Sequence, residues 1–139
     1  MSLALTRNVR VMRHPHSDHE WVSAMMELAR YVPSEYLLTY TSGVAMTPDL
    51  RNGEWVRLTI TNNVAWTINA PKGSYVGQRV EFTIRNTSGG ALGAATWNGS
   101  FKFGAAWASP ATGFSRSIQF RYDGTNWVEV GRTAADVAN

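Results

Sequence analysis

The residue types best suited to chemistry are concentrated in one short segment, residues 14–20. This segment places His14, His16 and His19 beside two carboxylates. Imidazole and carboxylate groups are ligands that transition metals accept, but a closed site needs three or four that converge. We therefore interpret the segment as a polar helix entry and predict no metal site within one chain. A three-fold axis that gathers three copies of one histidine stays open as an alternative.

Catalytic side chains of other kinds form no recognisable motif. The ten Asp and Glu residues are scattered, and the nucleophile pattern Gly-x-Ser-x-Gly is absent. The Gly-rich stretch at residues 88–90 lies between predicted strands, whereas a phosphate cradle precedes a helix. The sequence has no cysteine, which excludes thiolate catalysis, disulfides and cysteine zinc sites. We predict that the chain is not an enzyme and uses no cofactor.

Aromatic side chains are abundant, with six Trp in 139 residues. Trp97, Phe101 and Trp107 cluster in one region and are candidates for contacts between subunits or with the sugar rings of a glycan. Trp is enriched both in cores and at interfaces, so we favour a sandwich core and a subunit interface over glycan stacking. Trp55 and Trp127 fall on the polar faces of their predicted strands. An outward Trp suggests contact between chains, so both join the same set of candidates.

The charge pattern argues against nucleic acid and membrane partners. The formal net charge is +3, but the basic residues are scattered, with some density only at residues 7–13. A nucleic-acid binder would show a basic stripe interleaved with stacking aromatics. No apolar stretch approaches the roughly 20 residues that span a bilayer, and residues 1–5 are too short for the apolar part of a signal peptide. We predict synthesis in a cytoplasm, and the mild positive charge fits docking on an acidic surface at least as well as it fits nucleic-acid binding.

Residues 1–50 are predicted to form an arm, one helix and a connector that serve attachment and oligomerisation. Residues 1–16 read as an extended arm, which is ordered only when it pairs with something. Ser17 followed by Glu20 is a capping-box pattern, and apolar residues at helical spacing predict one short helix over about 17–31, stopped by Pro33. The partner-contact candidates in this part are Val9, Arg10, Val11, Arg13, Trp21 and Met25.

Residues 51–139 have the alternating pattern of strands. Val56, Leu58 and Ile60 share one side of a strand, and the clearest alternation covers residues 79–85. Short strands with polar turns at regular spacing predict a mainly β fold. We expect an antiparallel β-sandwich or jelly-roll-like module, preceded by the extended arm and the short α-helix.

Two turns in this module have particular sequence signals. Asn98-Gly99 predicts a hairpin between strands near residues 94–97 and 100–103. Asp123-Gly124-Thr125 leads from a strand at 114–122 into a strand at 126–131. In that last strand, Val128 and Val130 are expected to face the core.

The module resembles one that recurs in the virion proteins of bacteriophages. The resemblance covers roughly residues 52–132, and its most recognisable piece is the hairpin Phe120-Arg121-Tyr122-Asp123-Gly124-Thr125-Asn126-Trp127. The phage module is found at the ends of tail fibres and in small head-attached proteins, which are typically trimers on the particle surface. The resemblance implies a structural role in the virion and transfers no catalytic residue.

The small size of the chain then favours one location on the particle. Tail-fibre proteins usually carry a long shaft before the tip, whereas only residues 1–50 precede the module here. We expect a homotrimeric capsid decoration, or cement, protein that is made in the host cytoplasm and bridges neighbouring major capsid proteins on the virion. The alternative is a short tail-fibre or receptor-binding protein that recognises a host surface glycan.

Overall fold

The computed structural model describes residues 35–40 and 44–139 of the chain, and within them the prediction of a mainly β fold is confirmed. The predicted arm, the helix at about 17–31 and the three histidines lie outside the described residues. So do the candidates Val9, Arg10, Val11, Arg13, Trp21 and Met25. The described sheet begins at Glu35, ahead of the predicted module boundary at residue 51.

The described residues form two sheets. Seven strands make a large sheet in the order β1-β2-β4-β7-β8-β6, with β9 paired to β7, and two strands make a small sheet, β3-β5. The strands are β1 Glu35–Tyr40, β2 Trp55–Ile60, β3 Trp66–Ile68, β4 Arg79–Asn86, β5 Ala95–Trp97, β6 Phe101–Lys102, β7 Phe114–Tyr122, β8 Trp127–Arg132 and β9 Val137–Ala138.

One half of the large sheet is parallel because the chain alternates between the two sheets. β1, β2 and β4 are parallel neighbours. The chain between β2 and β4 contributes β3 to the small sheet, where β3 pairs in parallel with β5 and bridges to Met46. Parallel neighbours need such a crossover connection, which in most proteins is a helix. In this protein a strand of the small sheet makes the crossover between β2 and β4.

The pairing changes at β7, which is antiparallel to β4, β8 and β9, as predicted for these strands. The edge strand β6 pairs in parallel with β8. The turn at Asp123 joins β7 to β8 directly: its Oδ1 accepts hydrogen bonds from the backbone N–H of Thr125 and Asn126. Gly124 has a φ of +101°, a backbone region that favours glycine. The sheet as a whole is therefore mixed, and the β7–β8 connection is a hairpin between strands that pair with each other.

The hydrophobic core lies on the face of the large sheet that the small sheet covers. Its parallel half is built from rows of side chains in register, such as Leu38, Leu58 and Ile84. The alternation predicted for β2 and β4 is confirmed, since every second residue of both strands is buried. The largest fully buried apolar side chains are Trp66, Trp127, Phe82 and Phe120.

The orientation expected for β8 is wrong. Trp127 is 1% exposed, whereas Val128 and Val130 are each 40% exposed and lie on the opposite face. Trp127 pairs with Tyr122 at the end of β7, and their ring centroids are 4.8 Å apart. An indole buries far more apolar surface than a valine, so the strand turns its Trp inward at the expense of both valines.

The hairpin expected at Asn98-Gly99 is also wrong, although the turn itself forms. The backbone N–H of Phe101 donates to the Asn98 carbonyl oxygen at 2.9 Å, which closes a four-residue turn. The flanking strands do not pair with each other: β5 pairs with β3, and β6 pairs with β8. The turn therefore carries the chain from the small sheet to the large one.

Candidate interaction surface

The face of the large sheet opposite the core, here called the outer face, carries the alternate side chains of its strands. These side chains are half-buried or exposed and mix polar, charged and apolar types. Strand pairing places them in rows, and one row runs from Trp55 through Glu81 and Gln119 to Gly131. Members of the outer face include Leu37, Trp55, Arg57, Glu81, Thr83, Ser117, Gln119, Arg121 and Val128.

Trp55 is the predicted aromatic candidate that the structure leaves accessible. Its side chain is 41% exposed on the outer face, as the alternation of β2 predicted. The indole Nε1–H donates to Thr83 Oγ1 at 2.9 Å on the neighbouring strand. This hydrogen bond fixes the ring across the sheet surface, so Trp55 presents a rigid apolar platform with its polar atom already satisfied.

Polar side chains continue the surface away from Trp55. The Thr83 and Ser117 hydroxyl groups are 2.8 Å apart on β4 and β7. Gln119 Nε2 donates to Glu81 Oε1 at 3.3 Å in the adjacent row. These bonds pre-organise hydroxyl, amide and carboxylate groups beside the aromatic platform, as binding surfaces for polar ligands require.

A shallow depression of about 230 Å³ opens on the outer face over β4, β7 and β8. It forms where Gly131 lacks a side chain and where a β-bulge shifts the pairing of β7 and β8 between Gln119 and Phe120. Bulges are frequent beside functional sites because they redirect side chains. The depression is lined by Glu81, Ser117, Gln119, Gly131, Arg132 and Thr133.

The other aromatic candidates belong to the interior. Trp97 is half-buried, and its ring centroid lies 5.2–6.0 Å from those of six other rings. Trp107, also half-buried, is one of them. Phe101 is only 5% exposed, and Trp127 is buried as described above. Phe101 and Trp127 are therefore wrong as partner-contact candidates, because the core takes up the apolar surface that each would offer.

Glu129 organises the loop at one border of the core. It forms an ion pair with Arg132, with 2.5 Å between Oε2 and Nε, and accepts the backbone N–H of Gly104 at 2.6 Å. Arg132 donates in turn to the carbonyl oxygens of Ala105 and Ala106. The Arg132 hydrogen bond, aided by Gly104, lowers the pKa of Glu129. The carboxylate is thus held ionised as a structural anchor.

Two aspartates have similar local roles. Side-chain and backbone hydrogen bonds from Arg51 lower the pKa of Asp49 to about 2. The backbone N–H of Ala111, together with Arg116, lowers the pKa of Asp136. Both shifts favour the ionised carboxylate, whereas a general acid that works at neutral pH needs a raised pKa. These groups are therefore suited to holding loops in place.

Metal-ligating side chains do not converge within residues 35–40 and 44–139, where no group of three His, Asp or Glu residues could hold an ion. The histidine cluster at residues 14–19 lies outside these ranges. None of the described residues belongs to a helix long and apolar enough to cross a membrane.

The sequence did not predict the depression or the residues that line it. Trp55 was identified from its position on the polar side of β2, but its neighbours on the outer face come from strands that are distant in the chain. The alternation of Arg79, Glu81, Thr83 and Arg85 signalled an exposed face. The register of β4 against β7, which joins these residues to Gln119 and Ser117, had no local signal.

Comparison with known proteins adds no relative to this description. No protein family, no curated protein and no solved structure matches the chain.

Proposed function

We propose that the chain is a non-enzymatic structural protein of a bacteriophage particle, a homotrimeric capsid decoration protein that stabilises the head by bridging neighbouring major capsid proteins. Two observations carry this proposal: the outer face mixes polar and apolar side chains, and within the described residues the edge strand β1 is paired on one side only. Support for the phage setting comes from the sequence resemblance, whose central hairpin is the β7–β8 turn.

Strand β1 offers the first attachment feature. Within the described residues it pairs only with β2, and no described strand lies along its other edge. Tyr36 and Leu38 are half-buried on its inner side and would be covered further by an added strand. Exposed edges of this kind take up extended segments of another chain by β-augmentation. The arm of a neighbouring subunit or a capsid protein segment fits this edge.

The outer face offers the second attachment feature. Leu37, which lies opposite Arg57, is 61% exposed on this face, and Val128 is exposed on the same face at the far end of the sheet. Interfaces combine aromatic and aliphatic anchors with a polar surround. Burial of this face between subunits or against a capsid protein would stabilise the assembly without any chemical step.

A particle reconstruction tests this proposal most directly. We expect density for the protein at three-fold positions of the capsid, and density at the tail instead would contradict a decoration role.

Light scattering of the purified chain should give the mass of a trimer; a stable monomer would contradict the trimer. Deletion of residues 1–16 should abolish capsid attachment while the β module stays folded. Full attachment by the truncated chain would refute the role of the arm.

A second candidate function is receptor binding through a host surface glycan, and the accessible platform of Trp55 beside the polar depression favours it. Sugar rings stack on aromatic side chains, and their hydroxyl groups pair with the kinds of polar side chain found here. Blocking of phage adsorption by the purified protein would support this function. Unimpaired adsorption at saturating protein would contradict it.

A further inference from the structure

A row of three cations crosses one end of the outer face. Arg79 on β4 lies directly opposite Arg121 on β7, Arg121 lies opposite Val128 on β8, and Val128 pairs with Lys102 on β6. All four side chains are exposed. Neighbouring strands are about 4.8 Å apart, so the row extends about 14 Å across the sheet. Arg79, Arg121 and Lys102 are called the cationic row below.

The charge of this row is not compensated within the described part of the chain. Arg57, Arg116 and Arg132 each have a carboxylate partner. The guanidinium groups of Arg79 and Arg121 have neither an ion-pair nor a hydrogen-bond partner there. Like charges directly opposite each other on paired strands destabilise a sheet. An anionic ligand would relieve this repulsion, and arginine pairs are well suited to carboxylates because each guanidinium can donate two parallel hydrogen bonds.

Lys102 extends the cationic row to the far edge of the sheet. Its Nζ donates to the carbonyl oxygen of Gly99 at 2.7 Å, and none of the described carboxylates forms an ion pair with it. The next row of the outer face contains Glu81, whose Oε1 already accepts a hydrogen bond from Gln119. Among the described residues, no carboxylate forms an ion pair with a member of the cationic row, which leaves the row available to an external ligand.

The cationic row lies next to the platform and the depression. Successive outward side chains of a strand are about 7 Å apart, so Arg79 is one such step from Glu81, and Glu81 is the direct neighbour of Trp55. The depression is smaller than the roughly 300–1,000 Å³ of a site for a drug-sized ligand, which suits one ring of a longer chain. Ring-binding and anion-binding features thus lie side by side.

We propose that the outer face binds a carboxylate-bearing polysaccharide, with sugar rings on Trp55 and in the depression and with acidic groups on the cationic row. This inference rests on the glycan-binding function proposed above and specifies the class of glycan. A single-stranded nucleic acid is less well matched, because it binds through several stacking aromatics and this face presents one Trp. An acidic peptide would use the cations but would leave the hydroxyl- and amide-lined depression unused.

The experiment is a titration of the full-length protein by calorimetry with five probes. Two are acidic oligosaccharides, oligogalacturonate and oligosialate; the others are a neutral galactose oligosaccharide, a glutamate oligopeptide and oligo-dT. We expect an acidic oligosaccharide to bind, with an affinity that falls as salt is raised because exposed charges are screened. Arg79→Gln and Arg121→Gln should each weaken binding about tenfold, the loss expected for a hydrogen-bonded charge pair.

Two further variants complete the design. Trp55→Thr should also weaken binding, since it removes the platform. Lys72→Gln is the matched control: Lys72 is an exposed cation outside the seven-stranded sheet, and its replacement should leave binding unchanged. Thermal unfolding should show that every variant is fully folded at the temperature of the titration, which separates loss of binding from loss of fold.

Each remaining outcome counts against part of the proposal. Equal binding of neutral and acidic oligosaccharides would overturn the selectivity for acids and leave glycan binding standing. Equal binding of the glutamate peptide or of oligo-dT would overturn the sugar contacts. If neither acidic oligosaccharide binds, or if both arginine variants bind as well as the native chain, the cationic row is not a carboxylate site. Capsid attachment through the edge of β1 is a separate measurement and is unaffected by these results.

Discussion

The side-chain amide of Asn86 donates to the carbonyl oxygen of Pro110 at 3.0 Å and ties the end of β4 to a loop 24 residues further along the chain. The same nitrogen donates to Gly90, and Asn86 Oδ1 accepts from Ser88. Asn86 is fully buried. A buried polar group is tolerated when its hydrogen bonds are made. Here the amide of one residue donates to carbonyl oxygens in two loops.

Replacement of this amide should therefore be costly. Asn86→Leu preserves the approximate size but removes the side-chain donor to the buried Pro110 carbonyl and one of the two side-chain donors to Gly90. We therefore expect a loss of about 1–3 kcal/mol in the free energy of unfolding. Chemical denaturation measures it. Asn52→Leu, at an exposed position, should change stability by less than about 0.5 kcal/mol. Equal effects of both substitutions would contradict the role of Asn86.

The orientation of β8 predicts opposite sensitivities at two adjacent residues. Trp127→Ala empties a fully buried position and should lower the free energy of unfolding by about 3–5 kcal/mol. Val128→Ala acts on the exposed side of the same strand and should have an effect below about 1 kcal/mol. Urea denaturation of both variants checks the pair. A larger loss for Val128→Ala would mean that the strand faces the other way.

Gly93 lies where the chain passes close to another segment of backbone. A Cβ atom at this position would collide with the backbone of Val64 and Ala65, which cannot move aside as a flexible side chain can. We expect Gly93→Ala to lower stability by about 1–3 kcal/mol, as overpacking does. Gly99→Ala is the control, because a Cβ at Gly99 meets no atom within 4 Å. Comparable midpoints of thermal unfolding for the two variants would contradict this account.

The Glu129–Arg132 pair predicts part of the acid sensitivity of the fold. Because the pKa of Glu129 is lower in the folded chain than its ordinary value of 4.5, the ionised carboxylate favours folding. This contribution is fully present above about pH 4.5 and is lost as pH falls through the folded pKa. Glu129→Gln should thus be less stable at pH 7 and lose less stability on acidification. Denaturation curves between pH 7 and 2 measure this. If the free energy of unfolding of Glu129→Gln falls on acidification as much as that of the native chain, the prediction is wrong.

The uncompensated arginine pair predicts a conflict between stability and binding. Arg121→Glu would place opposite charges face to face on β4 and β7, so we expect stability to rise by about 0.2–1 kcal/mol at low salt. The same variant should lose affinity for acidic oligosaccharides. Thermal unfolding at low and high salt tests the first part, since screening should reduce the gain. A destabilised Arg121→Glu would show that the two arginines do not repel each other in the native sheet.

Local patterns in the sequence were sufficient for the strands themselves. The alternation in β2 and β4 identified which side chains are buried, because a period of two places every second residue on the same face. Asp123-Gly124 identified the β7–β8 turn, since the aspartate accepts backbone hydrogen bonds and the glycine adopts a positive φ. Trp55 was correctly placed on an outward face for the same periodic reason.

The tertiary structure decided everything that depends on which strands are neighbours. Parallel pairing of β1, β2 and β4 requires crossovers through a second sheet, and no local signal distinguishes this from a series of hairpins. Trp127 faces the core because it packs there against Tyr122, its partner on β7. The sequence by itself thus determined a β-rich chain with an outward Trp55. The register of the strands, which is set by the burial of side chains distant in the sequence, places Arg79 opposite Arg121. The same register, with its shift between Gln119 and Phe120, forms the depression nearby.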